Sequence, residues 1–98
     1  MGTLEYNSSR PPIEVEDGTL AHLKIVIATK LRRNESFMMT WIPDEKNAVG
    51  RLTIWIHPSI PLVLAFDEAK TPTIDPKRLE RMVEHLNARG ELVLDELA

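Results

Sequence analysis

The stretch IWIHPSIPLVLAF, residues 54–66, sets two apolar runs on either side of His57, Pro58, Ser59, Ile60 and Pro61. A histidine and a serine in a loop between strands raise the question of a nucleophilic site. Two prolines in the same five residues raise the question of a corner. Each proline removes a backbone donor and fixes φ. Each also biases its predecessor toward extended backbone, so His57 and Ile60 are expected to be extended. The pair stops one strand and re-aims the chain into the next. A serine nucleophile needs a base, a residue that orients the base, and oxyanion donors. The sequence has no Gly-x-Ser-x-Gly elbow. Residues 57–61 are therefore read as a stiff corner, with a small hydrolase using His57 and Ser59 kept as an alternative.

The flanking runs alternate. Leu52, Ile54 and Ile56 oppose Thr53, Trp55 and His57. Leu62, Leu64 and Phe66 oppose Val63 and Ala65. Before them, Phe37, Met39 and Trp41 share one side of residues 36–42, and Met38 and Thr40 the other. Hairpin-scale connections favour a meander through these three strands. At the amino end, residues 1–6 and 13–16 alternate as well, around the turn chemistry of NSSRPP, which predicts a hairpin with one wet face. Residues 91–95 close the chain as a short strand, with Leu92 and Leu94 inward.

Two helices separate these strands. Leu20, Leu23, Ile27 and Leu31 recur at helical spacing beside Val26, with Asp17 or Thr19 as candidate caps. Lys30, Arg32 and Arg33 suit the carbonyl end, and Asn34 suits a left-handed exit. The second helix has Asp75 as N-cap, Pro76 in the first position and Gly90 beyond its end. Its apolar stripe is Leu79, Met82, Val83 and Leu86. The order is β-β-α-β-β-β-α-β. The expectation is one α+β domain over residues 1–98, a mainly antiparallel sheet of about six strands with both helices on one face.

Ninety-eight residues allow one modest core. Hydrophobic residues make up 43% and charged residues 28%, an ordinary globular balance. Twelve basic against fifteen acidic side chains give a net charge of −3, with −1 in residues 1–50 and −2 in residues 51–98. That charge exerts no global pull on phosphate backbones or anionic lipid. There are no cysteines, which excludes disulfides and thiol chemistry and fits a cytoplasmic location. The amino terminus is not a signal peptide, and no apolar run reaches the roughly 20 residues that span a bilayer. Gly2 is read as part of the first strand.

The candidate sites follow from exposure. The last three central strands are apolar on both faces, so the face away from the helices offers a surface to a second copy or another protein. Trp41, Trp55, His57 and Val63 are the candidate interface residues, with Trp41 and Trp55 joined in one aromatic patch. A nucleic-acid accessory module is the alternative, with Lys30, Arg32, Arg33 and Arg51 beside a tryptophan platform. His22, His57 and His85 sit in three different elements and match no metal motif. No catalytic residue, metal site or cofactor is assigned. The leading reading is a non-enzymatic protein-association module, self-pairing through the open sheet face.

Three segments carry a family resemblance: MGTLEY at residues 1–6, DGTLAHLKIVIATKLRRNESFMMTW at 17–41 and GRLTIWIHPSIPLVLAF at 50–66. They resemble a small uncharacterised family of actinobacterial proteins, with TLAHL, KLRRNESF and WIHPSIPL the most distinctive pieces. Members of that family are often labelled ATP-dependent DNA ligase. The resemblance implies an intracellular actinobacterial or phage-derived protein. Adenylyl transfer by such ligases uses a lysine in a Lys-x-Asp-Gly setting. Here Asp17-Gly18 is preceded by Val15 at the lysine position, so the label brings no nucleophile with it.

Overall fold

The computed structural model describes residues 2–6, 13–42, 50–70 and 72–94. The elements are β1 (Gly2–Tyr6), β2 (Ile13–Val15), α1 (Asp17–Arg32), β3 (Phe37–Trp41), β4 (Leu52–Ile56), β5 (Leu62–Ala65), α2 (Pro76–Arg89) and β6 (Glu91–Val93). Their order is the expected one. The NSSRPP turn, most of the loop before β4 and the far end of the last strand lie outside the described residues.

The strands do not form one sheet. They form two of three strands each, β2-β1-β5 and β4-β3-β6. The expected meander is corrected: β5 pairs antiparallel with β1, in the register Tyr6 to Leu62 and Leu4 to Leu64, while β4 pairs with β3. The corner is where the chain passes from one sheet to the other. Pro58 and Pro61 have no amide hydrogen. The Ser59 amide donates to His57 Nδ1 at 3.1 Å, and the Ile60 amide to the His57 carbonyl at 3.1 Å. Residues 58–61 thus have no amide left for a partner strand. His57 and Ile60, each before a proline, favour extended backbone and carry the chain onward instead of back along β4. Three of the four strand pairings are antiparallel; β6 lies parallel to β3.

The inner faces of both sheets and both helices share one buried cluster. Leu4 of β1, Leu20 and Leu23 of α1, Met39 of β3, Ile56 of β4 and Leu92 of β6 have no exposed surface. The helices obey their end signals unevenly. In α2, Asp75 caps by accepting the Lys77 amide at 3.0 Å, and Gly90 leaves at φ 72°. Asn34 follows α1 at φ 61°, as its side chain permits. The start of α1 differs from expectation. Glu16 is the N-cap and its side chain makes no cap bond. The Asp17 carboxylate instead accepts the amides of Asp67 and Glu68, and the Thr19 hydroxyl accepts from Arg78 of α2. Both side chains are used for contacts between elements, which local sequence does not reveal.

Gly2 lies where α1 presses on β1. A Cβ there would stand 2.6 Å from Leu20 Cδ2, 2.7 Å from the Ala65 carbonyl oxygen and 2.8 Å from Asp17 Oδ1. Gly2→Ala must therefore push a buried leucine and a paired strand apart. Overpacking of this kind costs about 1–3 kcal/mol, partly offset by the stiffer unfolded chain. Urea unfolding should show a lower midpoint with unchanged slope; an unchanged midpoint would show that the junction has slack.

Candidate functional site

Strand alternation gives β3 two unlike faces. Phe37, Met39 and Trp41 point into the core, at 4%, 0% and 8% exposure. Met38 and Thr40 point outward. Cross-strand register then builds two outer rows over β4, β3 and β6. One reads Trp55–Met38–Glu91 and the other Thr53–Thr40–Val93. Exposure falls across the sheet. Trp55 is 52% exposed and Met38 39%, whereas Thr40 and Val93 are buried. The open part of the face is thus an indole beside a thioether, on neighbouring strands.

The polar side chains next to this pair are fixed. Thr40 Oγ1 donates to Glu91 Oε2 at 2.9 Å, which uses its one hydrogen. Its 2.8 Å contact with Thr53 Oγ1 is therefore one in which Thr53 donates. This relay crosses all three strands and holds the rotamers that border Trp55 and Met38. From the other sheet, the Tyr6 hydroxyl donates to the Trp55 carbonyl. Burial raises the Tyr6 pKa above its usual value, and a bond from the His57 amide partly opposes that rise. Tyr6 thus takes the place of a partner strand at the end of β4 and tethers the backbone under Trp55.

The structure separates the candidate interface residues. Trp41 is in the core and Trp55 is on the opposite face of the same strand pair, so the expected joint aromatic patch is corrected. Val63 is 52% exposed, but it belongs to β5 in the other sheet, opposite Glu5. His57 is half-buried in the corner, where its ring binds the Ser59 amide. Met38 was not singled out in sequence; its alternation with Phe37 and Met39 and its pairing with Trp55 are the signals that find it.

The basic residues are not gathered either. Lys30 bonds Glu35 at 3.3 Å and Asn87 of α2 at 3.0 Å, tying the two helices. Arg32 and Arg33 end α1 just before the Phe37 end of β3, while Arg51 precedes Leu52, which pairs with Trp41 at the other end. Five residues of strand, roughly 17 Å, lie between those ends. His22 donates from Nδ1 to the Gly18 carbonyl at 2.6 Å and accepts the Asp75 amide on Nε2 at 3.0 Å. His85 Nε2 accepts the Val93 amide at 3.3 Å. Among the described residues no group of three or more His, Cys, Asp or Glu is placed to hold a metal ion. No helix among them is long and apolar enough to cross a membrane.

A family described as a domain of unknown function, DUF7882, matches residues 1–96. No curated protein and no solved structure is matched by the chain.

Tyr6 is the protein's one tyrosine, so tyrosinate absorbance reports it alone. Its midpoint should lie above the ordinary value of about 10. Because the folded value is raised, Tyr6's contribution to stability is complete below pH about 10 and is lost as pH climbs from there through the folded value. Tyr6→Phe should flatten that part of the alkaline stability curve. A midpoint at or below the ordinary value would contradict the burial of the Tyr6 side chain.

Proposed function

Because this chain belongs to the DUF7882 family, a domain of unknown function, its role is read from its own surfaces, and we propose that it is a protein-association module that pairs with a second copy through the open face of the β4-β3-β6 sheet. The observation that supports this reading is the exposure of Trp55 and Met38 side by side on a rigid sheet. Indole and thioether attract one another, at the sulfur-to-ring contacts that methionine favours. A two-fold pairing lets Trp55 of each copy cover Met38 of the other, so the patch complements itself. The mechanism is burial, not covalent chemistry.

The size of the face sets the strength. Two strands of five residues and one of three offer at most roughly 15 by 17 Å. A stable interface usually removes about 800 Å² from each partner. The face alone falls short of that, so the pairing is weak and reversible, with a dissociation constant in the micromolar range. The ligase label attached to the family it resembles is not carried over. Val15 holds the position of the required lysine and is buried in β2, while Asp17 binds two backbone amides. The dispersal of Arg32, Arg33 and Arg51 gives the nucleic-acid reading no comparable support.

Sedimentation equilibrium over a wide concentration range tests the proposal. The 11.2 kDa chain should move toward twice its mass as concentration rises. Trp55→Ala should cost about 2 kcal/mol of association, roughly thirtyfold in Kd, as a central interface tryptophan does. The exposed position means that folding survives, and Trp41 fluorescence reports the intact core. A strict monomer at about 1 mM, weaker than any Kd expected of such a face, counts against it.

A further inference from the structure

Between β5 and α2, residues 66–70 and 72–75 lie against α1, and two α1 side chains fasten this strap near its ends. Asp17 accepts the amides of Asp67 and Glu68 at 3.4 and 3.3 Å, and His22 accepts the amide of Asp75 at 3.0 Å. The first two bonds are long; the third is ordinary. On the helix these anchors are five residues apart, roughly 7.5 Å along the axis and about 140° around it. The chain from Glu68 to Asp75 can reach roughly 23–25 Å when extended.

Between this segment and α1 lies a half-open hollow of about 220 Å³. Ala21 and Ile25, one turn apart on α1, form its floor, and Phe66 and Ile74 form apolar walls. Lys24 and Lys70 line it against a single carboxylate, Glu68. Its lining is therefore net positive in a chain whose net charge is −3. The volume is below that of sites for drug-sized ligands, which run from about 300 Å³ upward. An apolar interior with two lysines and one glutamate in its lining fits a compact molecule with one anionic end.

We propose that this hollow is a binding site for a small monocarboxylate with an apolar body, seated between Ile25 and Phe66 and held at its charged end by Lys24 and Lys70. The site is on a different surface from the β4-β3-β6 face and does not depend on self-association. Its frame is set before any ligand arrives, because both strap anchors bond within the protein.

Amide NMR titration with octanoate tests it, with 1-octanol as the uncharged probe of equal length. Octanoate should give saturable shifts in α1 around Ala21 and Ile25 and in the strap around Ala69, with Kd of about 1 mM or tighter for a ligand of this size. Octanol should bind about fivefold more weakly, the order of one exposed ion pair. Salt should narrow the difference. Combining Lys24→Ala with Lys70→Ala should equalise the two probes while the remaining spectrum is unchanged. The comparison in the unaltered protein decides the matter even if that variant folds poorly. Shifts that fail to saturate, that centre on Trp55 instead, or that are equally strong for octanol would overturn the proposal.

Discussion

Backbone donors run out at residues 58–61, and the architecture follows from that. Pro58 and Pro61 have none, and the amides of Ser59 and Ile60 both turn back on His57. A ladder cannot continue through a segment that offers no amide hydrogen. At this point the chain leaves the β4-β3-β6 sheet and enters the other as β5, beside β1. The two sheets stay in register with each other because Leu4, Met39, Ile56 and Leu92 meet in one core with α1 and α2. Tyr6 bridges them at the surface by bonding the Trp55 carbonyl. In the β4-β3-β6 sheet, strand alternation and the register of β4 on β3 place Trp55 on the outer face beside Met38.

The three histidines serve this same economy of backbone hydrogen bonds. His57 accepts the amide of Ser59 inside the corner, His22 that of Asp75 ahead of α2, and His85 that of Val93 in the final strand. Each ring takes a donor at a place where the chain changes element. Accepting requires an unprotonated nitrogen, and His22 shows the tautomer: Nδ1 gives its hydrogen to Gly18, which leaves Nε2 to receive. Residues that in sequence invite catalytic or metal readings are thereby committed to holding turns and helix ends. The polar row on the outer sheet works likewise, with Thr53, Thr40 and Glu91 linked across three strands.

Local features were legible in the sequence. Asp75, Pro76, Asn34 and Gly90 announce helix ends because capping depends on a few neighbouring residues. Alternation assigns Leu4, Met39 and Ile56 to buried faces because the strand period is two. Pairing was not legible. Two prolines say that a strand stops, but the partner of the next strand, β1, lies some sixty residues earlier in the chain. The same nonlocality hid the roles of Asp17 and Thr19, which look like caps and instead reach the strap and Arg78. It also hid the separation of Trp41 from Trp55, since face assignment needs the register of β4 on β3. The hollow beneath the strap could not be foreseen, because it exists only through anchors at Asp17 and His22.

The most direct test is the strand partner of β5, read from interstrand nuclear Overhauser effects. The account predicts contacts between the backbones of Thr3 and Ala65, Glu5 and Val63, and Tyr6 and Leu62. It predicts the β4 backbone to be linked to β3 through pairs such as Met38 and Trp55. A regular set of contacts between residues 52–56 and 62–65 would restore a single meandering sheet. It would remove the corner's role and the pairing of β5 with β1.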